Sequence, residues 1–437
     1  GVGDYAKYSV LLGLTEVGFA LAGVGIGHSI QRYVPELYAG HYVRTLRRFL
    51  AVACPVWLLV MLALVGLAEW GSDRLAPLIG LGDVSAELHI YWLLVIARCI
   101  SQFAAQILEA MLRQGLAQSA YAVSALGRLF GMLYLLYAGQ HDLLSVIRME
   151  LLAELACTLG MCAATLLALR DSVRHPCPDP EADEAWLRER LPGVVKFGAS
   201  AYAQYLVTLP ATWAGHRIVG GSLLSPQAMA AFGFAQSFYE YARRYLPAQL
   251  LIGLIRPIVV AKYARSRDFD VAAGICRGVL LVNTALTAGM LAILVVGGPE
   301  IMGLLSHGKY TTDAAYILAA SLVALQLDTY RQQLELLAQA VERYHHLIVA
   351  NLAITASVGV AGLLAPHMQG YAFPLSACVG LLASNWFVRQ RLAAAGYLFT
   401  SERRASWALA GTLVTAVAAG FLTTWAGAGW VAASLAS

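Results

Sequence analysis

The chain has 437 residues, 59% of them hydrophobic and only 13% charged, with a formal net charge of +4. An ordinary soluble domain carries about a quarter charged residues, so water is not this chain's main solvent. No nucleic-acid partner is expected for it.

A helix needs roughly 20 mostly apolar residues to cross a hydrocarbon core about 30 Å thick, and such windows recur from end to end. Unbroken runs such as Leu50 to Leu67 favour helices over an outer-membrane barrel, whose segments of about 10 residues alternate apolar and polar. In chain order the spans fall near residues 8–27, 50–70, 90–112, 118–138, 149–169, 194–215, 229–254, 276–297, 313–340, 346–365, 372–388 and 406–427. This pattern predicts an all-α membrane protein of about twelve transmembrane helices, arranged in two six-helix lobes around a central cavity. The lobes are expected over residues 1–175 and 193–392. A polar cytoplasmic linker, residues 176–192, holds the Pro and acid run Pro176 to Glu184. Residues 393–437 are read as a cytoplasmic loop and an extra C-terminal helix.

Lys and Arg accumulate in loops that stay in the cytoplasm. Assigning alternate loops to opposite sides puts twenty basic residues on one side, among them Arg44, Arg47, Arg48, Arg188 and Arg190. The other side holds five: Lys7, Arg74, Arg148, Arg217 and Lys309. One missed helix would invert every later loop, so the asymmetry supports the layout and puts the start of the chain on the periplasmic face of a bacterial inner membrane. An outside start implies a preceding helix, and Gly1 is not an initiator residue, so the chain is expected to lack a first helix. No signal peptide is visible. Six of the seven cysteines fall in predicted helices and Cys177 in the linker, which makes them packing residues and not a disulfide framework.

Five arginines, Arg98, Arg128, Arg243, Arg244 and Arg331, fall near the middle of predicted spans. A charge at that depth costs about 2.5 kcal/mol at the least, so such residues face a bundle interior or a watery cavity. Glu16, Glu154, Glu240, Asp328 and Glu335 are embedded with them. Helical positions three and four apart share a face, which gives three polar stripes. The first is Arg98, Gln102, Gln106 and Glu109; the second is Gln236, Glu240, Arg243 and Arg244, with Tyr239, Tyr241 and Tyr245 close by; the third is Asp328, Arg331, Gln332, Glu335 and Gln339. Helices so striped are expected to line a hydrophilic cavity between the lobes.

Alternatives stand beside several of these residues. Glu240 with Arg243 or Arg244, and Asp328 with Arg331, also read as ion pairs that only hold helices together. Glu154 is either embedded or hydrated near the outer interface. Glu16 either accepts hydrogen bonds from a neighbouring helix or is a proton or cation site. Arginine's planar fork donates two parallel hydrogen bonds and keeps its charge, so five of them point to an anionic head group, while the nearby aromatic and amide residues suit sugar rings. There is no GxxxxGK[ST] phosphate loop, HExxH or paired CxxC spacing. The neighbours His345 and His346 sit at a helix end where exposure is expected, and the outward loops are short. Neither an enzyme nor a bound cofactor is expected, beyond a coupled proton or sodium ion.

Four short elements carry a resemblance. Gly3-Asp4-Tyr5-Ala6-Lys7-Tyr8 is similar to a Gly/Tyr turn after a first helix, and Gln31-Arg32-Tyr33-Val34-Pro35-Glu36 to an Arg, Tyr and Pro element after the second. Lys196-Phe197-Gly198 is similar to the start of a seventh helix, and His307-Gly308-Lys309-Tyr310, followed by Ala314 and Ala315, to a turn before the tenth. With these, nearly the whole chain resembles the bacterial lipid-linked oligosaccharide flippases of the polysaccharide transporter family, within the multidrug, oligosaccharidyl-lipid and polysaccharide exporter superfamily. Counting a lost first helix gives about thirteen spans against that family's usual twelve, so the last is expected outside the two lobes, as in a fourteen-helix variant cut short. A faint repeat lays Tyr5 to Glu16 on Phe232 to Arg243, in keeping with transporters whose site lies at a repeat interface.

The resemblance implies a flippase that moves undecaprenyl-pyrophosphate-linked oligosaccharide from the cytoplasmic to the periplasmic leaflet by alternating access, for surface polysaccharide export. On this reading the embedded residues divide the work: Arg98, Arg128, Arg243, Arg244 and Arg331 with Gln102 and Tyr239 are expected to bind the substrate, and Glu16, Glu240 or Asp328 to couple an ion. The implied partners are the lipid-linked oligosaccharide, membrane lipids and a polysaccharide polymerase or assembly complex. Two other functions remain open: a drug or small-cation antiporter of the same superfamily, whose cavity would be dominated by carboxylates, and a non-transporting membrane component of a polysaccharide assembly machine.

Overall fold

The structure is a computed structural model that describes residues 2–39, 41–79, 81, 85–140, 142–172, 180–250, 255, 259, 262–263, 268–341, 343 and 346–399. Among the described residues the regular elements are α-helices and two short 3-10 turns, at Leu209–Ala211 and Gln369–Tyr371. The helices are α1 (Val2–Ala22), α2 (Ile26–Ala39), α3 (Val43–Trp70), α4 (Ser72–Leu78), α5 (Ser85–Ala110), α6 (Gln114–Tyr137), α7 (Leu143–Ser172) and α8 (Pro180–Thr208). They continue with α9 (Trp213–Leu223), α10 (Pro226–Tyr245), α11 (Pro247–Leu250), α12 (Phe269–Leu305), α13 (Thr312–Ala340), α14 (His346–Met368) and α15 (Ala372–Ala394).

Among the described residues six helical stretches are long and apolar enough to cross a membrane, of which His346–Ala394 joins α14 and α15 through a 3-10 turn; counting the bent pair α1 and α2 as one span makes seven. α8, α10 and α13 are not among them. Large side chains left bare by the protein, such as Leu159 at 71% and Leu363 at 78% exposure, would be a liability in water and are the surface a hydrocarbon core covers. The chain is an integral, multi-pass membrane protein. The span expected at 406–427 lies outside the described residues.

Two compact units form. One comprises Gly1–Leu209 with Arg217–Ser222, the other Pro210–His216 with Leu223–Ser437, so α9 contributes its first residues to the second unit and its later ones to the first. In the first unit α5 packs along α7, and α2 packs against α5, α3 and α8. Its core stacks Trp57 on Phe103 with ring centroids 4.1 Å apart and planes 7° from parallel. In the second unit α14 packs on α15, and α13 packs on α10, α12 and α15, around buried Ala272, Cys276, Leu334 and Leu337.

Several ends differ from the sequence expectation, each for a visible reason. The span expected at 8–27 breaks at Gly23, and α2 continues at 63° to α1. Val24 and Gly25 there have φ of +39° and +75°, the left-handed region that a β-branched residue enters only under strain. Residues 180–190, read as linker, are the first turns of α8. Buried Trp186 pins them by packing its ring against Tyr33 at 6.0 Å, donating to Glu36 Oε1 at 3.3 Å; Arg190 also pairs with Glu36. Pro210 interrupts the expected span 194–215, because a proline in a helix interior lacks the N–H donor and crowds the preceding turn. The expected span 229–254 ends at Tyr245, since Leu246 precedes Pro247 and is pushed to an extended conformation, φ −67° and ψ 136°. At the other end of α10 the Ala228 N–H donates to Ser225 Oγ at 3.3 Å, with Pro226 in the first turn.

The break after α1 depends on contact without side chains. A Cβ on Gly25 would overlap the Gly198 carbonyl oxygen of α8, and one on Gly198 would lie 2.7 Å from Ser29 Oγ. Gly139 also has positive φ, +68°, but among the described residues nothing lies within 4 Å of a Cβ there. The expected outcome is that Gly25→Ala lowers the unfolding midpoint well beyond Gly139→Ala, which loses only the left-handed preference of about 1–2 kcal/mol. Thermal unfolding of the purified variants checks this, and equal shifts for the two would contradict it.

Candidate functional site

Three helices of the first unit converge on two carboxylates of α7, Glu150 and Glu154, whose side chains are 7% and 2% exposed. One turn apart, they face the same neighbours. From α5, Arg98 Nη2 donates to Glu150 Oε2 at 3.4 Å, and Arg98 Nε lies 3.5 Å from Glu154 Oε2. From α6, Arg128 Nη2 donates to Glu154 Oε2 at 2.5 Å. Ser101 Oγ donates to Glu154 Oε1 at 2.5 Å, and from α1 the Tyr8 hydroxyl donates to Glu150 Oε1. Beside this network Thr15 Oγ1 and Tyr91 OH are 2.6 Å apart and buried. Each carboxylate is thus held by a guanidinium and a hydroxyl, which is what ionised groups need where water is scarce.

In the second unit α13 carries Asp328, Arg331 and Glu335 on one face. Arg331 Nε donates to Asp328 Oδ1 at 3.0 Å and Nη1 donates to Glu335 Oε2 at 3.1 Å. Arg331 Nη1 also reaches Asn351 Oδ1 of α14 at 3.4 Å, and Gln332 Nε2 donates to Asp328 Oδ2 at 2.8 Å. Arg243 of α10 is near enough for its charge to act on Asp328. Tyr239 is buried against Trp213, with ring centroids 4.5 Å apart. A cavity of about 520 Å³ between α10, α12 and α13 is mostly apolar, lined by Phe238, Met290, Leu294, Met302 and Leu322 with Tyr241 and Tyr245 among others, and no charged residue lines it.

The expected residues therefore fall into separate groups. Arg98 and Arg128 meet, and Gln102 lies half-buried on the same side of α5, with Gln106 a turn further on. Glu154, for which hydration near the interface was the alternative, is buried and triply bonded. Arg331 and Asp328 meet in the second unit, and both intrahelical pairings of Arg331 form. Arg243 and Arg244 are not at the middle of a span: they occupy the last turn of α10 and are exposed, a position where the helix dipole favours cations. Glu240 is half-buried one turn before them, and Glu16 is exposed on α1.

Glu150, Tyr8, Ser101 and Tyr91 were missed. Glu150 was legible as the helical neighbour of Glu154, but nothing local joins α1 to α7. Arg217, expected in an outward loop, is instead a 2% exposed residue within α9. Among the described residues no three His, Cys, Asp or Glu side chains are grouped to hold a metal ion.

No protein-family profile and no curated protein matches the chain. Solved structures do match its fold. An inward-facing multidrug resistance MATE family transporter of the MOP superfamily superposes with a TM-score of 0.71 at 12% identity, over 91% of this chain and 92% of that one. The lipid II flippase MurJ in an inward closed conformation gives 0.58 at 13%, over 97% and 92%. The Vibrio cholerae MATE transporter VcmN in its bent form gives 0.58 at 12%, over 90% of each chain. The class is thus defined by its fold: a multi-pass helical membrane protein folded like these transporters and this flippase. Identities this low establish the fold alone.

Removing one partner of a buried ion pair costs about 3–5 kcal/mol. Arg98→Gln and Glu154→Gln are each expected to destabilise the protein, and the double variant to lose less than their sum by roughly 0.5–3 kcal/mol. Equilibrium unfolding in detergent measures the cycle; strict additivity would show that the two groups do not interact.

Proposed function

We propose that the protein is a flippase that carries a lipid-linked oligosaccharide with a pyrophosphate head group across a bacterial inner membrane by alternating access. In this proposal about twelve spans form two six-helix lobes around a central cavity, the start of the chain is periplasmic, and the exported glycan serves surface polysaccharide. The observation that carries it is the set of ion-paired guanidinium groups inside the two helical units, Arg98 and Arg128 in one and Arg331 in the other. Membrane-embedded arginines are retained at such cost where an anion must be met. Arg243 and Arg244, with Gln102 and Tyr239, complete the proposed head-group contacts, and Glu16, Glu240 or Asp328 couple the cycle to an ion.

A second function is favoured by a different observation. Two buried carboxylates, Glu150 and Glu154, form the centre of the first unit's network, and acids of that kind suit a proton-coupled exporter of cationic drugs. The fold is compatible with both.

Replacing each of the five arginines by Gln separates them. At least two of the replacements are expected to reduce surface polysaccharide about tenfold or more, the effect of losing roughly 1.4 kcal/mol at the transport barrier, with drug susceptibility unchanged. Full polysaccharide export from all five, together with drug sensitivity in Glu150→Gln, would establish the antiporter instead.

A further inference from the structure

We infer that the first unit holds a site for the phosphate of an anionic membrane phospholipid, in a cavity framed by three helix ends. This lipid is a resident of the bilayer and not a transported molecule, so the site stands apart from the flippase proposal.

The cavity encloses about 170 Å³. Val43 and Leu46 of α3 form its apolar side, and its polar side is Tyr38 of α2, His41 of the turn that follows, Arg113 and Asp171. Arg113 stands in the turn between α5 and α6, and Asp171 in the last turn of α7. At about 30 Å³ per water there is room for a phosphodiester and part of its glycerol. A drug-sized ligand, which needs roughly 300–1,000 Å³, does not fit.

Arg113 is the anchor for the anion. Its Nε donates to the Tyr38 hydroxyl at 3.3 Å and its Nη2 to Asp171 Oδ2 at 2.5 Å, which fixes the plane of the guanidinium. Neither bond occupies Nη1, and the side chain is 41% exposed. A planar fork held along one edge and open along another is the form in which arginine takes phosphate. Asp171 orients the group, and because it is equally exposed its hold on the charge of Arg113 is weakened by water.

The turns around the cavity keep side chains where glycine is the usual residue. His41 and Leu112 have left-handed backbone, with φ of +56° and +59°. Each turn is closed by the bond that ends such helices: the Tyr42 N–H donates to the Leu37 carbonyl at 2.9 Å, and the Arg113 N–H to the Leu108 carbonyl at 2.8 Å. A side chain at that position is strained. His41 brings an imidazole to the cavity, and Leu112, 69% exposed, sets a bare apolar group next to Arg113, as suits a contact with lipid. Exposed Arg44 and Arg47 lie on the first turns of α3. Basic pockets between the ends of spanning helices are where acidic headgroups bind.

The test uses the purified full chain in a neutral detergent and follows its unfolding midpoint against added phosphatidylglycerol or phosphatidylcholine with the same acyl chains. Phosphatidylglycerol is expected to raise the midpoint by several degrees, as a ligand of the folded state does, and phosphatidylcholine to leave it in place. Arg113→Gln should raise the concentration that gives half of the shift about tenfold. Asp171→Asn should leave that concentration unchanged or lower it, and Arg47→Gln, outside the cavity, should raise it by less than Arg113→Gln. Equal shifts with the two lipids, the same shift from inorganic phosphate at matched concentration, or an unaltered response in Arg113→Gln overturns the site. A loss in Asp171→Asn as large as in Arg113→Gln would reduce the pair to a helix clamp, and an equal loss in Arg47→Gln would make the attraction diffuse; either result overturns the site too. If Arg113→Gln does not fold, Arg113→Lys takes its place, since it keeps the charge and loses the fork: a weakened response supports the site, and an undiminished one overturns it.

Discussion

A charged side chain inside a membrane has given up its water, and the protein must replace that hydration group by group. Glu154 of α7 shows how the constraint is met. Its two oxygens receive Arg98, Arg128 and Ser101, and the neighbouring Glu150 receives Arg98 and Tyr8. One carboxylate pair thereby ties α1, α5, α6 and α7 to a common point. Apolar side chains have little preference for one another over lipid tails, so such polar contacts fix which helices meet and in what register.

The second unit solves the same problem along one helix. Arg331 is bracketed by Asp328 and Glu335 on α13 and reaches α14 through Asn351. A bracket of this kind keeps the charge compensated while leaving part of the guanidinium available, with 20% of its side chain uncovered. The network in the first unit is more closed at Glu154 and more open at Arg128, whose side chain is 37% exposed. An anionic head group that displaced a carboxylate from either cluster would exchange one ionic partner for another, at much lower cost than entering an apolar interior.

The all-helical fold and the embedded charges were legible because both follow from local chemistry: unbroken apolar runs and the helical repeat. The α5 stripe is the clearest case, since Arg98, Gln102 and Gln106 are partly accessible while Cys99, Ser101, Phe103, Ala104 and Ala105 between them are buried. The pairs Asp328–Arg331 and Arg331–Glu335 followed from spacing alone. Contacts between distant segments were not legible, so Tyr8 with Glu150, 142 residues apart, left no sequence signal. Helix ends failed where an apolar run outweighed a breaker. Pro247 and Pro210 stand in the sequence, yet the hydrophobic residues around them suggested continuous spans. The opposite error arose at residues 180–190, where charge suggested a linker although Trp186 anchors a helix.

The proposed flippase cycle depends on whether the guanidinium groups of the two units meet an anion, and transport by the isolated protein tests that most directly. In proteoliposomes containing a fluorescent prenyl-pyrophosphate disaccharide, a membrane-impermeant quencher added outside reports how much lipid the protein brings to the outer leaflet. The protein is expected to make nearly all of the labelled lipid accessible, far beyond the outer-leaflet fraction seen in empty liposomes. Quenching confined to that fraction, in vesicles where the same protein moves a cationic dye, would contradict it.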